Sequence, residues 1–162
     1  MKILIYGYGN PGRKDDGLGI ALTEMIKNWI INRHISNVEV DMNYQLNIED
    51  AEKISKYDKV VFVDASQEND LTNFILEDVK PKKDKIEFTM HAVSPGYIAY
   101  LSQNLFNTNP DVKVLKIKGY CWKMEEGISD SAMLNMERAF QFLTCKLERW
   151  LKMEISENLS HC

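Results

Sequence analysis

Cysteine is scarce in this chain. The three present, Cys121, Cys145 and Cys162, are odd in number and show no CxxC spacing. That excludes a disulfide framework and fits a reduced, cytosolic setting with three unpaired thiols. Long apolar runs are missing: nothing approaches the ~18 residues a membrane span needs. The first apolar stretch is too short, and too soon followed by glycine and charge, for a signal peptide. There is no excess of positive charge. Lys and Arg number 20 against 24 Asp and Glu, a formal net charge of -4, which leaves no electrostatic reason to expect a nucleic-acid partner. The G-x-S-x-G elbow of serine hydrolases does not occur. No internal repeat or low-complexity linker interrupts the 162 residues, and at 44% apolar content the chain suits one domain with a real core.

The opening stretch Tyr6 to Gly19, YGYGNPGRKDDGLG, packs five glycines, one proline and two adjacent aspartates behind an apolar strand. Two neighbouring carboxylates at such a turn call for a nearby cation. The stretch contains a literal G-x-G-x-x-G, but a bound pyrophosphate at the following helix N-terminus would face Asp15 and Asp16. The ribose-binding acid expected ~20 residues on is absent as well.

Periodicity supplies the rest of the frame. Lys2 to Gly7 reads as a buried strand. Helical spacing of Ile20, Leu22, Met25, Ile26, Trp29 and Ile30 predicts a helix from about Asp16 to Asn32, with Asp15 or Asp16 as its cap. Val38 to Met42 is a second strand, and Asn47 caps a second helix ending near Tyr57. Asp58 to Asp64, DKVVFVD, suits a strand buried on both faces. Asn73 to Val79 is a further strand, and Ile86 to Met90 a brief extended piece leading to His91. A third helix covers Pro95 to Leu105, a last strand Val112 to Lys118, and Gly119 to Gly127 is a loop. Ser129 caps a long helix to about Lys152, with Met133, Met136, Phe140, Leu143, Leu147, Trp150 and Leu151 facing inward. Residues 1–153 thus form one domain and 154–162 a frayed tail. Alternating strands and helices predict a three-layer α/β domain around a mostly parallel sheet.

In such sheets ligands bind beyond the carboxyl ends of the strands. The opening loop, Asp64 and His91 all map to that rim. Asp15 or Asp16 with Asp64 and His91 makes a mixed oxygen and nitrogen donor set suited to a divalent metal such as nickel or zinc. Each also has a plain structural reading: Asp16 as a helix cap, Asp64 as the cap of the next turn, His91 as a hydrogen-bonded histidine. His34, near the end of the first helix, reads as structural. His161 and Cys162 fall in the tail. No cysteine is expected near the rim, so a thiol nucleophile finds no support.

These blocks resemble the hydrogenase maturation proteases. GNPGRKDDGLG is similar to their opening G-N-x-x-x-x-D-D-G-x-G, and YQLNIEDAEKISKYDKVVFVDAS to the block ending in a metal-binding aspartate. HAVSPGYIAYL resembles their histidine block, and GYCWKMEEGISDSAMLNMERAF the closing segment, with Ile128 in place of leucine. The resemblance runs from residue 2 to about 145. It implies a twisted five-stranded sheet of order 2-1-3-5-4 with strand 4 antiparallel. It implies an endopeptidase that removes the C-terminal extension of a nickel-iron hydrogenase large-subunit precursor after nickel loading, working as a monomer. Asp16, Asp64 and His91 would contact the substrate's own nickel, with no organic cofactor. The residues offer no evident general base beyond Asp16 and, secondarily, Asp15. The same features would serve a metal-checking chaperone that binds the precursor without cutting it. Asn43-Tyr44-Gln45-Leu46, after the second strand, departs from the Gly-Thr-rich turn of some members and points to a different branch. Gly9-Asn10-Pro11-Gly12 also echoes peptidyl-tRNA hydrolases, but their histidine-containing segment is replaced here by Arg13-Lys14-Asp15-Asp16.

Overall fold

The computed structural model describes residues 1–83 and 93–160. The expected extended piece Ile86 to Met90, His91 and the terminal His161-Cys162 lie outside the described residues. Five strands form one sheet in the order β2-β1-β3-β5-β4, with β1 at Ile3–Tyr8, β2 at Val38–Asn43, β3 at Lys59–Ser66, β4 at Phe74–Asp78 and β5 at Asp111–Lys118. The pairs β1–β2, β1–β3 and β3–β5 are parallel, and β4–β5 is antiparallel. This is the architecture and strand order that the sequence and its resemblance imply.

The continuous apolar runs divide between two cores because alternate side chains point to opposite faces of a strand. Ile3, Ile5, Val61, Val63, Leu115 and Ile117 face one side. They pack under α1 (Leu18–Asn32) and α4 (Asp130–Ser160). Leu4, Tyr6, Val60, Phe62, Val112 and Val114 face the other side. They are covered by α2 (Asp50–Ile54), by α3 (Pro95–Phe106) and by Leu46 ahead of α2. Helices on both faces of a mostly parallel sheet give the three layers.

Several local expectations are revised. Asp15 and Asp16 do not cap α1: they sit in a 3-10 turn, Lys14–Gly17, and Gly17 is the cap residue. Asn47 does not cap α2 through its side chain. Instead the Asp50 carboxylate accepts the Asn47 N–H at 2.8 Å, the reach-back half of a capping box. The buried face of α4 is Ala132, Met136, Ala139, Leu143 and Leu147, while Met133 is exposed. Reading only large apolar residues passes over the two alanines that let α4 lie close to the sheet. Ser129 does not act as the expected helix cap in its hydroxyl bond, which goes to Asp15. α4 also continues as helix through 154–160. At α3 the expected start holds, with Pro95 in the first turn and the Ser94 hydroxyl accepting the Tyr97 N–H at 3.1 Å.

What places the site is how closely α1 approaches the strand ends. A Cβ on Gly19 would lie 2.3 Å from the Val63 carbonyl oxygen and 2.6 Å from that of Tyr8. Only a residue without a side chain lets the start of α1 sit against β1 and β3 at that distance.

A carboxylate pair on the strand rim

The rim is built outward from β1 and β3. Gly7 is in register with Val63, so Tyr8 and Asp64 are the next neighbours across the two strands. Both lie on the sheet face that carries Tyr6 and Phe62. The Tyr8 ring meets Phe62 edge-on at 6.2 Å, and its hydroxyl donates a hydrogen bond to the Asp64 carboxylate. After Tyr8 the chain turns at Gly9, whose φ is 141° and whose missing Cβ would fall 2.0 Å from the Asp16 carbonyl oxygen. That close approach folds the 3-10 turn back over the strand end. Asp16 is half-buried there, and its Oδ2 accepts the Asn10 N–H at 3.0 Å.

The two carboxylates feel each other. Burial pushes the Asp64 carboxyl up to about 7. The Asp16 charge adds to that rise, while the Tyr8 hydroxyl, the Ala65 N–H and Lys116 pull the other way. Lys116 is in register with Asp64 on β5, but its ammonium is engaged by Glu68 at 2.9 Å and Glu77 at 3.1 Å. A buried carboxyl raised in this way beside a second carboxylate is a place where an added cation lowers the free energy. The donor chemistry, two carboxylates with one backed by a phenol, suits a divalent first-row metal that brings further ligands of its own. Among the described residues no three His, Cys, Asp or Glu side chains are grouped to hold a metal ion. His91, the third donor expected from the sequence, lies outside the described residues.

Asp15 behaves differently from its neighbour. It is fully buried. Its Oδ2 accepts the N–H groups of Tyr120 at 2.8 Å and Cys121 at 3.0 Å and the Ser129 hydroxyl at 2.7 Å. Its Oδ1 accepts the Ser129 N–H at 2.7 Å. Burial pushes this carboxyl up, yet the donors from Tyr120, Ser129 and Cys121 outweigh it and hold the group below the usual carboxylate range. A carboxylate so occupied is a poor proton acceptor, which argues against the secondary role as general base that the sequence offers it. It ties the Gly119–Gly127 loop to the rim instead. The same seam carries Asp15 N–H to the Cys121 carbonyl at 3.0 Å, Lys14 N–H to Glu125 at 2.8 Å and Arg13 Nε to the Trp122 carbonyl at 3.0 Å.

Sequence reasoning missed this second wall and missed Tyr8. The parity of Tyr6 and Tyr8 with Phe62 and Asp64 was the available signal for the latter. The clamp also brings half-buried Cys121 beside the rim, against the expectation that no cysteine lies there. His34 sits exposed just past α1, with φ 54° and its N–H on the Ile31 carbonyl, in keeping with a structural role.

No protein-family model matches the chain, and no curated protein sequence does. Solved structures do. The chain is similar to the hydrogenase-maturating endopeptidase HybD from E. coli, with a TM-score of 0.70, 14% identity, and 92% of this chain and 93% of that chain covered. It is similar to the [NiFe] hydrogenase maturation protease HycI from Thermococcus kodakarensis, with a TM-score of 0.68, 24% identity, and 88% and 89% covered. A third likeness is the hydrogenase 2 maturation peptidase from a Thaumarchaeota archaeon, with a TM-score of 0.62, 15% identity, and 91% and 99% covered. The chain therefore has the fold of these proteins over nearly all its described length.

Proposed function

We propose that this protein is an endopeptidase of hydrogenase maturation, cutting the C-terminal extension from a nickel-loaded large-subunit precursor. The observation that carries the reading is the Asp16–Asp64 pair on the strand rim of a fold shared with named maturation proteases. Asp16 and Asp64 would hold the precursor through its own nickel. His91 is assigned as the third donor on its sequence context. The nickel belongs to the substrate and supplies positive charge at the rim. The chain's own residues then orient: Asn10 N–H fixes one oxygen of Asp16, and the Tyr8 hydroxyl and Ala65 N–H fix Asp64. Two carboxylates held this way add ligands that only a loaded precursor can use, so docking and metal checking become one event. Asp16 is the group left to take a proton from the attacking water, because its Oδ2 takes a single backbone N–H while Asp15 is fully engaged. Among the described residues no helix is long and apolar enough to cross a membrane.

Incubating the purified protein with loaded precursor and reading the intact mass tests this directly. The expected result is loss of the C-terminal extension. A stable complex with no mass change would instead make the protein a metal-checking chaperone.

Tyr8→Phe isolates one part of the assignment. The ring contact with Phe62 remains, so the thermal midpoint should hardly move. Loss of the hydroxyl behind Asp64 should lower kcat/KM on loaded precursor about 10–100-fold, the usual effect of removing a group that orients a metal-binding side chain.

A further inference from the structure

Four arginines occur in the chain, and Arg13 alone is half-buried. Its Nε donates to the Trp122 carbonyl at 3.0 Å, and its guanidinium carbon lies 6.0 Å from the centre of the Trp122 ring. Among the described residues neither terminal nitrogen has a hydrogen-bond acceptor and no acid pairs with the group. The chain holds a second arginine on a tryptophan for comparison. Arg33 stands over Trp29 at 5.3 Å, and there the Glu148 carboxylate meets its Nη1 at 2.9 Å. At Arg13 no described residue supplies that carboxylate. A guanidinium partly withdrawn from water, with its outward donors uncommitted, has strong binding capacity to spare.

The position is on the rim. β3 lies between β1 and β5 in the sheet, so the turn after β1 and the loop after β5 meet across the end of β3. Asp15 N–H to the Cys121 carbonyl and Arg13 Nε to the Trp122 carbonyl join them. Gly119 opens the loop with its N–H on the carbonyl of Ser66, the last residue of β3, at 3.0 Å. A Cβ on Gly119 would fall 2.9 Å from the Trp122 ring and 2.8 Å from the Asp15 side chain. The bare glycine lets the ring lie down against the strand end. On the other side of the seam Arg13 and Asp16 share one hydrogen-bonded turn. The Arg13 N–H goes to the Asn10 carbonyl at 3.0 Å, the Arg13 carbonyl accepts the Asp16 N–H at 3.1 Å, and the Asn10 N–H holds Asp16 Oδ2. A stable protein interface covers about 800 Å² on each partner. A folded precursor seated on Asp16 and Asp64 therefore covers Arg13, three residues away, as well.

We propose that Arg13 is a specificity-determining residue: its guanidinium, laid on Trp122, receives a side-chain carboxylate of the precursor beside the nickel. The proposal rests on the maturation-protease reading above. A planar guanidinium offers parallel N–H donors that match the two oxygens of a carboxylate. The Nε bond and the ring fix that fork beforehand, so little side-chain freedom is lost on binding. The surroundings favour a single negative charge over a phosphate. Glu125 and Glu126 are exposed in the same loop and oppose a dianion, and Lys14 already stands 3.7 Å from Glu125.

Steady-state processing of nickel-loaded precursor by the wild type, Arg13→Gln and Arg13→Lys tests this, at low and high salt and with thermal midpoints recorded alongside. Arg13→Gln should raise KM about 10–100-fold, the scale of a hydrogen bond to a charged group. The kcat should stay within about twofold, as expected for binding shared by ground and transition states. Arg13→Lys should recover part of the loss, because it keeps the charge without the fork. The wild-type KM should rise with salt, and the rise should flatten in Arg13→Gln. On the precursor side, each Asp and Glu is changed in turn to Asn or Gln. One such change should reproduce the KM rise with the wild type and add nothing further in Arg13→Gln. Unchanged KM in Arg13→Gln with the midpoint preserved overturns the proposal and leaves the protease reading intact. A KM rise that follows a lowered midpoint, with an unaltered salt slope, makes Arg13 a strut between two loops and overturns it equally. So does a wild-type KM indifferent to every acid of the precursor, a result that needs no variant of this chain to fold. No processing by the wild type removes the reading and the proposal together.

Discussion

Asp64→Asn will reduce processing of loaded precursor by more than about 100-fold, exceeding the loss typical of groups that merely support a metal ligand. The same change will make the metal-free protein more stable at neutral and alkaline pH. The two effects share a cause. Asp64 is held beside Asp16 in a buried setting that lifts its carboxyl to about 7, well above the ~4 of an unfolded chain. The folded state therefore binds a proton that the unfolded state releases. The stabilising contribution of the protonated group is fully present below pH ~4 and is lost as pH rises through about 7. Asparagine has no charge to bury and keeps an oxygen for the Tyr8 hydroxyl. Urea unfolding in a chelator should show Asp64→Asn more stable than the wild type above pH ~7, by on the order of a few kcal/mol, with the difference closing toward pH ~4. A variant that is less stable at high pH would contradict the picture of an uncompensated carboxylate pair waiting for a cation.

Asp15→Ala will be the most damaging substitution for stability on the rim. It would strand the backbone N–H groups of Tyr120, Cys121 and Ser129, now satisfied by one carboxylate. Each buried donor left without an acceptor costs ~1–3 kcal/mol. A loss on the order of 3–5 kcal/mol is expected, a large part of the ~5–15 kcal/mol that holds a domain together. Asp15→Asn should lose somewhat less, since one oxygen survives while the new NH₂ faces at least one donor. The pH dependence has the opposite sense to that of Asp64. Asp15 is held below its ordinary value, so its contribution is complete above pH ~4 and disappears as pH falls through the folded value. The wild type should weaken in acid, and Asp15→Asn should show a shallower slope. Equal stability of Asp15→Ala and the wild type in urea at pH 7 would mean that the Gly119–Gly127 loop holds its place without the clamp.

Much of this was legible in the chain. Strand runs such as VVFV at 60–63 announce burial on both faces, and alternation then assigns Val61 and Val63 to one core and Val60 and Phe62 to the other. The position of Asp64 at the end of such a run places it on the rim from sequence alone. What could not be read was pairing at long range. Asp15 looks like a helix cap because caps are local and its actual partners lie 105 to 114 residues away. Adjacent aspartates look equivalent in sequence. The Gly9 turn, though, leaves Asp16 half-buried over the strand ends and drives Asp15 inward. Spacing alone puts Met133 in the core, but small Ala132 and Ala139 define the closer face of α4. The resemblance in the GNPGRKDDGLG block held in fold terms. Its implied donor His91 stays an assignment from sequence.

The central claim is that Asp16 and Asp64 read a metal carried by the substrate. The most direct test sets nickel-loaded and nickel-free precursor side by side with the purified protein and follows the C-terminal mass loss over time. The account predicts cleavage of the loaded form, none of the nickel-free form, and none of either by Asp16→Asn or Asp64→Asn. Equal cleavage of both forms by the wild type would contradict it.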